Sequence, residues 1–171
     1  MIGNDIIDLE KASQESNWKR SNFLEKLFTE SEKAMIRLSD DAEAMVWQLW
    51  SRKEAAYKAY NRKTGIRGFF PLRIICDDSC QMGNIYYGKT TIEGMTFHSQ
   101  TTVGKTFIHT IAAESFELLD KIETFFESES GFKVSKDVAG LPYFIDKQTN
   151  VARPVSVSHH GQFYCKIITS M

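Results

Sequence analysis

The sequence predicts an α+β protein in which helices pack against antiparallel sheets. Three observations lead to this prediction: one long amphipathic helix in the first half, a run of short strands separated by turn residues in the middle, and further strands near the end. A length of 171 residues is enough for one domain with its own core. We therefore expect a single domain spanning residues 1–171.

The N-terminal segment is predicted to be a short strand. Residues 2–9 read IGNDIIDL, and alternation along a strand places Asp5 on the same face as Ile7 and Leu9. A carboxylate on an apolar face is either a turn or capping residue or part of a site. Asp8 lies on the opposite face and is expected to be the solvated acid.

Two helical segments follow this strand. Residues 22–38 are predicted to be helical with a break near Thr29, because Thr29 and Glu32 have the spacing of a capping box that starts a second helix. Residues 41–60 show the strongest helical pattern of the chain. Their apolar stripe recurs at three- and four-residue steps and consists of Val46, Trp47, Trp50 and Tyr57.

The rest of the chain is predicted to consist mostly of strands. Residues 70–114 contain four segments rich in β-branched and aromatic residues, separated by turn residues, which indicates an antiparallel meander. Residues 115–130 are predicted to be helical with Gly131 as the C-terminal cap, and two or three strands follow. A helix followed by strands thus occurs twice, which suggests two pseudo-symmetric lobes, residues 1–114 and 115–171.

Composition and charge exclude several classes of protein. The formal net charge is −1, so no overall field attracts the chain to nucleic acid or to an anionic membrane. Three cysteines without framework spacing argue against a disulfide-stapled secreted domain. No apolar run approaches the roughly 18 residues of a membrane-spanning helix, and the N-terminus lacks the pattern of a secretory signal. We expect a cytoplasmic protein.

Glu54 is the first candidate site residue, because it lies within the apolar stripe of the helix predicted at 41–60. Lys58 follows it by four residues, and such pairs usually form surface ion pairs worth about 0.3–0.5 kcal/mol. A carboxylate among tryptophans and a tyrosine has instead to be paired, protonated or bound to metal. The spacing alone leaves both interpretations open.

A second candidate is the segment SVSHHG, residues 156–161. His159 is either a satisfied histidine at a strand end or a donor to an anion, with the hydroxyl of Ser156 or Ser158 nearby. Two acids, one lysine and one histidine together suggest a hard cation with a phosphorylated ligand, because Mg²⁺ prefers carboxylates, waters and phosphate oxygens.

Several stretches resemble the 4′-phosphopantetheinyl transferases. IGNDIIDL resembles that family's Gly-x-Asp-Ile strand, and WSRKEAAYK, residues 50–58, is similar to its Trp-Ser-x-Lys-Glu-x-x-x-Lys helix. FLEKLFTESE resembles the Phe–Thr–Glu segment between them, and GLPYF followed by VSVSHHG resembles the Gly-x-Pro and Ser-His elements. The resemblance implies that family's fold. It also implies transfer of the 4′-phosphopantetheine arm of coenzyme A to a serine of an acyl or peptidyl carrier protein, with release of 3′,5′-ADP.

The resemblance also implies roles for the motif residues. Asp5 and Glu54 would be the Mg²⁺ ligands, and Glu54, directly or through a water, would take the proton of the carrier serine. Lys58 would neutralise phosphate charge or protonate the departing group. Lys53 would be a second phosphate or carrier contact.

The Ser-His element would bind coenzyme A through His159, with Ser158 beside it, and two departures from the family pattern affect the expected site. Larger members carry a second acid where this chain has Ile7, so the metal should have fewer protein ligands and more water. The Gly-x-Pro element often has a central lysine where this chain has Leu141, which leaves nucleotide contacts from that loop open.

The order of the motifs implies a permuted arrangement. In larger members the Ser-His element belongs to the first lobe and the acids to the second, whereas here Gly-x-Asp-Ile opens the chain and Ser-His closes it. We therefore expect a monomer in which Asp5, Glu54 and Lys58 from one lobe meet His159 from the other. The rival is a single lobe that oligomerises, with His159 facing the Asp5 of a neighbouring subunit.

Two other functions stay open from the sequence. A non-catalytic module of the same fold would dock a carrier protein without Mg²⁺. Another metal-dependent phosphotransferase or nucleotide-cleaving enzyme would release phosphate or AMP in the absence of a carrier. The presence of both acids, the lysine and the histidine favours the transferase, because a non-catalytic module that only binds a carrier protein has little need for all four.

Overall fold

The computed structural model describes residues 1–77, 79–126, 132–146 and 149–170. The helices in these ranges are α1 (Leu9–Glu15), α2 (Phe23–Leu27), α3 (Glu30–Leu38), α4 (Ala42–Thr64) and α5 (Phe116–Leu119). The strands are β1 (Ile2–Asp8), β2 (Ile74–Cys76), β3 (Cys80–Met82), β4 (Ile85–Ile92), β5 (Met95–Val103), β6 (Phe107–Ala113), β7 (Ile122–Phe125), β8 (Ser135–Lys136), β9 (Pro142–Ile145), β10 (Ala152–Pro154), β11 (Ser156–His160) and β12 (Phe163–Thr169). The predicted α+β class is confirmed.

The strands form one large and two small antiparallel sheets. The large sheet has the order β1-β6-β5-β4-β2, with β3 also paired to β4. One small sheet has the order β11-β12-β7 and the other β10-β9-β8. The predicted meander of residues 70–114 is confirmed in β4, β5 and β6, and β1 adds to it as the edge strand. The position of β1 at an edge leaves one side of its backbone open to other partners.

Helix α4 crosses the large sheet and supplies much of its core. Asp41 caps its start by accepting a hydrogen bond from the backbone N–H of Ala44 at 2.9 Å. Gly65 ends it in the left-handed conformation, with φ of 71°. Buried alanines at Ala55, Ala56 and Ala59 face the sheet. The small side chains let the helix backbone come close to the strands.

Strand β1 makes the closest approach to α4 at Gly3. A Cβ atom at this position would clash with the carbonyl oxygen of Ala55 and lie 2.7 Å from the backbone nitrogen of Ala59. Both neighbours are backbone atoms, so neither can rotate away. Gly3 therefore allows the strand to sit directly on the helix, with Asp5 two residues further along.

The capping box predicted at Thr29 is present at the start of α3. The backbone N–H of Thr29 donates to Glu32 Oε2 at 2.8 Å, and the backbone N–H of Glu32 donates to Thr29 Oγ1 at 3.4 Å. The break between two helices near Thr29 is thereby confirmed.

The helix predicted at 115–130 is wrong over most of its length. Helix α5 ends at Leu119, and β7 follows and pairs with β12, with Phe125 opposite Lys166. The apolar residues of this segment recur at three-residue steps, yet Ile122 and Thr124 are β-branched, and the available strand β12 decides in favour of a sheet. Gly131, the expected cap, lies outside the described residues.

Because the second long helix is absent from the described residues, the similarity between the two halves of the chain is weaker than the sequence suggested. Up to β6 the strands belong to the large sheet, and after α5 they belong to the two small sheets. The permuted pair of lobes stays a prediction. Within the described ranges, no helix is both long enough and apolar enough to cross a bilayer.

Candidate active site

Asp5 and Glu54 are brought together where β1 lies on α4. The side chain of Asp5 is 13% exposed, and Glu54 is half-buried. Ser51, one turn before Glu54, donates a long hydrogen bond of 3.4 Å to the carbonyl oxygen of Asp5 and ties the strand to the helix. The carboxylates of Asp5 and Glu54, which are far apart in sequence, thus lie near each other with little access to water.

Lys58 supplies a positive charge beside this pair. Its Nζ lies 2.8 Å from the carbonyl oxygen of Asn4 and 3.2 Å from Asp5 Oδ1. Lys58 follows Glu54 by four residues, so both side chains project from one side of α4 toward β1.

The electrostatics of the pair leave negative charge uncompensated. Burial, together with the charge of Asp5, raises the pKa of Glu54 to about 7, and Lys58 only partly opposes this. Burial also raises the pKa of Asp5, again against the effect of Lys58. The single positive charge of Lys58 therefore does not compensate the negative charge of two poorly solvated carboxylates. A bound cation would stabilise both in the ionised form.

A cleft of about 450 Å³ opens over the two acids. Its lining is mixed. The polar or charged side chains that line it are Asp5, Ser16, Arg20, Glu54, His159 and His160, and the apolar ones include Ala12, Phe23, Leu27, Trp47 and Trp50. Such a lining suits a ligand that has both charged groups and an uncharged arm.

A sequence model of the family described as the 4′-phosphopantetheinyl transferase superfamily matches residues 1–112. The chain belongs to this superfamily. The matched range runs from β1 nearly to the end of β6 and includes Asp5, Glu54 and Lys58. Membership indicates a transferase that acts in phosphopantetheine chemistry. The chain matches no curated protein.

The cleft also includes residues of β11, which lies beyond the matched range. His159 is exposed and lines the same cleft as both acids, within one chain. Ser158, predicted as a ligand contact, is buried instead, and its hydroxyl accepts a hydrogen bond from Asn4 Nδ2 at 2.9 Å. Its side chain therefore faces β1 and bonds to Asn4 instead of facing a ligand.

Lys53 occupies a structural ion pair in place of the phosphate or carrier contact that the sequence predicted. Its Nζ lies 2.7 Å from Glu32 Oε2, and both side chains are fully buried. The same ammonium donates to the carbonyl oxygens of Pro71 and Ile74 at 2.7 and 2.6 Å. On a helix, Lys53 is rotated about 100° from Glu54, which turns it away from the cleft.

A smaller cavity of about 200 Å³ lies beside Lys58. Gly140, Leu141 and Pro142 of the Gly-x-Pro element line it, together with Lys58 and Arg62. Leu141 supplies no cation there, so the positive groups at this cavity come from α4.

Asn4 and His160 are two residues of the site that the sequence analysis missed. Both bond across the gap between β1 and β11, and His160 also lines the cleft. The doubled histidine of SVSHHG was a visible signal for His160. Nothing in the sequence marks Asn4, because an asparagine beside a motif glycine is typical of turns.

Asp8 is not the solvated acid that alternation suggested. It is buried, caps α1 by accepting from the backbone N–H of Lys11 at 3.2 Å, and accepts from the backbone N–H of Gln162 at 3.1 Å. These backbone hydrogen bonds, that from Gln162 first, lower its pKa. Among the residues that the structure describes, no three histidine, cysteine or acidic side chains cluster as metal ligands.

Proposed function

We propose that this chain is a Mg²⁺-dependent 4′-phosphopantetheinyl transferase that modifies an acyl or peptidyl carrier protein. The single observation that carries the proposal is the meeting of Asp5, Glu54 and His159 in one cleft of a chain that belongs to the superfamily. Coenzyme A would be the donor and 3′,5′-ADP the second product.

Asp5 and Glu54 would hold the metal. Their pKa values are raised by burial and, for Glu54, by the neighbouring negative charge, which is the environment that a hard divalent cation stabilises. With only two carboxylates, water and phosphate oxygens would complete the shell. When bound, Mg²⁺ neutralises the pyrophosphate and the charge that grows on the oxygen between its phosphorus atoms.

Lys58 and Glu54 would move the protons. Glu54, directly or through a water, accepts the proton of the carrier serine as its oxygen attacks the phosphorus of the arm. Lys58 neutralises or protonates the departing 3′,5′-ADP, because its ammonium already lies 3.2 Å from Asp5 Oδ1.

His159 would bind a phosphate of coenzyme A in the same cleft. The cavity between Lys58, Arg62 and Leu141 would take the nucleotide end, where α4 supplies the cations that the Gly-x-Pro element lacks. The apolar side chains of the cleft, such as Phe23, Trp47 and Trp50, would contact the uncharged arm. The protein would be cytoplasmic. It would act as a monomer, since the proposed residues all belong to one chain.

The test is transfer itself. The protein is incubated with coenzyme A, Mg²⁺ and a panel of apo-carriers, and the carriers are weighed by mass spectrometry. A mass gain equal to the phosphopantetheine arm, lost with Asp5→Asn or with chelator, is expected. Carrier binding without a mass gain points to the non-catalytic module, and AMP or phosphate release without a carrier points to another phosphotransferase.

A further inference from the structure

The strands β1 and β11 run side by side without a backbone ladder between them. Asn4 N–H donates to Ser156 Oγ at 2.9 Å, and Asp8 N–H donates to His160 Nδ1 at 2.9 Å. The spacing is four residues on both strands, so the strands are parallel and in register. Side chains of β11 thus satisfy backbone donors on the open edge of β1, where a neighbouring strand would otherwise bind.

Two further hydrogen bonds complete this contact. Asn4 Nδ2 donates to Ser158 Oγ at 2.9 Å, and Gln162 N–H donates to Asp8 Oδ2 at 3.1 Å. We call the group Asn4, Asp8, Ser156, Ser158, His160 and Gln162 the strand seam. It is the junction between the part of the chain that carries both acids and the part that carries His159.

The hydrogen bond at His160 fixes the state of its ring. Because Nδ1 accepts from Asp8, the proton of the neutral ring lies on Nε2, which faces Glu15 Oε2 at 3.4 Å. His160 is the last residue of β11, and the ladder at this strand end is to Phe163 of β12, not to β1. The contact of this strand end with β1 is therefore made by the imidazole and by the adjacent hydrogen bond from Gln162 N–H to Asp8 Oδ2.

We propose that His160 is a positioning residue, which through the strand seam sets the place of His159 opposite Asp5. His159 precedes His160 directly, and side chains alternate along a strand, so holding His160 against β1 fixes the direction of His159. This role rests on the proposed function, because it concerns how coenzyme A spans the cleft between His159 and the metal ligands.

Three substitutions of one residue test the role. His160→Asn keeps an acceptor near the position of Nδ1, His160→Gln places its amide near Nε2, and His160→Leu has no acceptor. Glu15→Gln is the matched control, because it removes the partner charge at Nε2 and leaves the seam intact. The measurements are hydrogen exchange at the Asp8 amide, thermal unfolding, and kcat and KM for coenzyme A.

His160→Leu is expected to lose protection at the Asp8 amide and to raise KM for coenzyme A about tenfold, the effect of one lost hydrogen bond. His160→Asn and Glu15→Gln are expected to resemble the wild type. A wild-type KM for coenzyme A in His160→Leu would overturn the role. So would a loss of activity in the Asn and Leu variants that only follows their loss of stability. A third contradicting result is a wild-type KM in His160→Gln together with a raised KM in His160→Asn.

The outcome for the wild type separates this role from the proposed function. Wild-type protein that neither binds coenzyme A nor modifies a carrier overturns the proposed function and the positioning role with it. Wild-type protein that transfers the arm while His160→Leu does so equally well overturns the positioning role alone.

Discussion

The two acids of the cleft are the residues on which the proposed chemistry depends most directly. Asp5→Asn and Glu54→Gln each remove a proposed metal ligand, so both are expected to abolish transfer while the protein stays folded, because neither carboxylate is part of the apolar core. Transfer is followed by carrier mass, the fold by circular dichroism, and Mg²⁺ binding by calorimetry. Glu10→Gln, at an exposed acid on α1, serves as the control. Near-normal turnover of either variant at saturating Mg²⁺ would contradict the metal assignment.

Lys58 acts on the leaving group in the proposed mechanism, and its effect should therefore appear in the transition state. Lys58→Ala is expected to lower kcat and kcat/KM together, measured with coenzyme A as the varied substrate. A variant with an unchanged kcat and a raised KM would show that Lys58 binds ground state and transition state equally.

Lys53 is expected to respond differently from its neighbours. Lys53→Met leaves Glu32 buried without its cation, which costs about 3–5 kcal/mol in the free energy of unfolding. Replacing both partners, Lys53→Met with Glu32→Gln, should cost less than that, because no charge then stays buried alone. Urea unfolding of the two variants gives the comparison. A stable Lys53→Met protein that binds coenzyme A weakly would return Lys53 to the ligand contacts.

The contact between β1 and α4 is the element-scale feature that places Asp5 beside Glu54. Gly3→Ala inserts a methyl group against the backbone of Ala55 and Ala59, so the strand has to move. We expect a loss of about 1–3 kcal/mol in stability and a larger fall in transfer rate, since metal ligands tolerate little displacement. Gly83→Ala is the control: nothing lies within 4 Å of its Cβ, but its left-handed φ of 64° strains an alanine, so this variant should lose stability without a fall in transfer rate beyond that loss. Wild-type activity in Gly3→Ala would show that the close approach does not set the site.

Sequence patterns predict the elements whose local signals and tertiary contacts agree. The stripe of α4 and the capping box at Thr29 are such cases, and so is β1. The helix predicted after Ser115 is wrong. The three-residue apolar spacing of this segment fits a helix, but the segment pairs with β12, whose residues lie about forty positions away in the sequence. The prediction that Lys53 contacts a ligand is wrong for a similar reason, since its ion-pair partner Glu32 belongs to another helix. Long-range partners are not visible in a local pattern.

At the scale of the whole molecule, the proposed site lies within one chain. Inactive Asp5→Ala and inactive His159→Ala proteins, mixed in any ratio, are therefore expected to stay inactive. Subunit exchange is checked by native mass spectrometry with one protein isotope-labelled. Recovery of activity on mixing would mean that His159 of one subunit completes the site of another, which is the oligomeric rival of the permuted monomer.

Acid sensitivity is a second property of the whole molecule, and it depends on His109 in β6. Burial lowers the pKa of His109 to about 4, with Lys58 adding to the effect, and its Nε2 lies 3.2 Å from Cys165 Sγ. The unfolded chain binds a proton there near pH 6.5 and the folded chain does not. The stability that this neutral histidine contributes is therefore complete above pH 6.5 and is lost as the pH falls toward 4.

This difference predicts a loss of about 2 kcal/mol in the free energy of unfolding between pH 7 and pH 5 from this residue. His109→Gln, which does not titrate, should show a smaller loss over the same range. Urea unfolding at both pH values measures it. Equal losses in the two proteins would mean that His109 is accessible to protons in the folded state.

The different orientations of Lys53 and Glu54 on α4 matter for how variants of this protein behave in living cells. A cell that depends on the transferase would fail to grow with either residue replaced, yet the causes differ. A Lys53 variant would be scarce, because partly unfolded chains are removed by proteases, whereas a Glu54 variant would accumulate to normal amounts and do nothing. Growth at lower temperature or in a protease-deficient strain would rescue the first and leave the second unchanged. Substitutions at two adjacent residues of one motif would thus cause the same growth defect. The Lys53 variant would lower the amount of protein, and the Glu54 variant would abolish its catalysis.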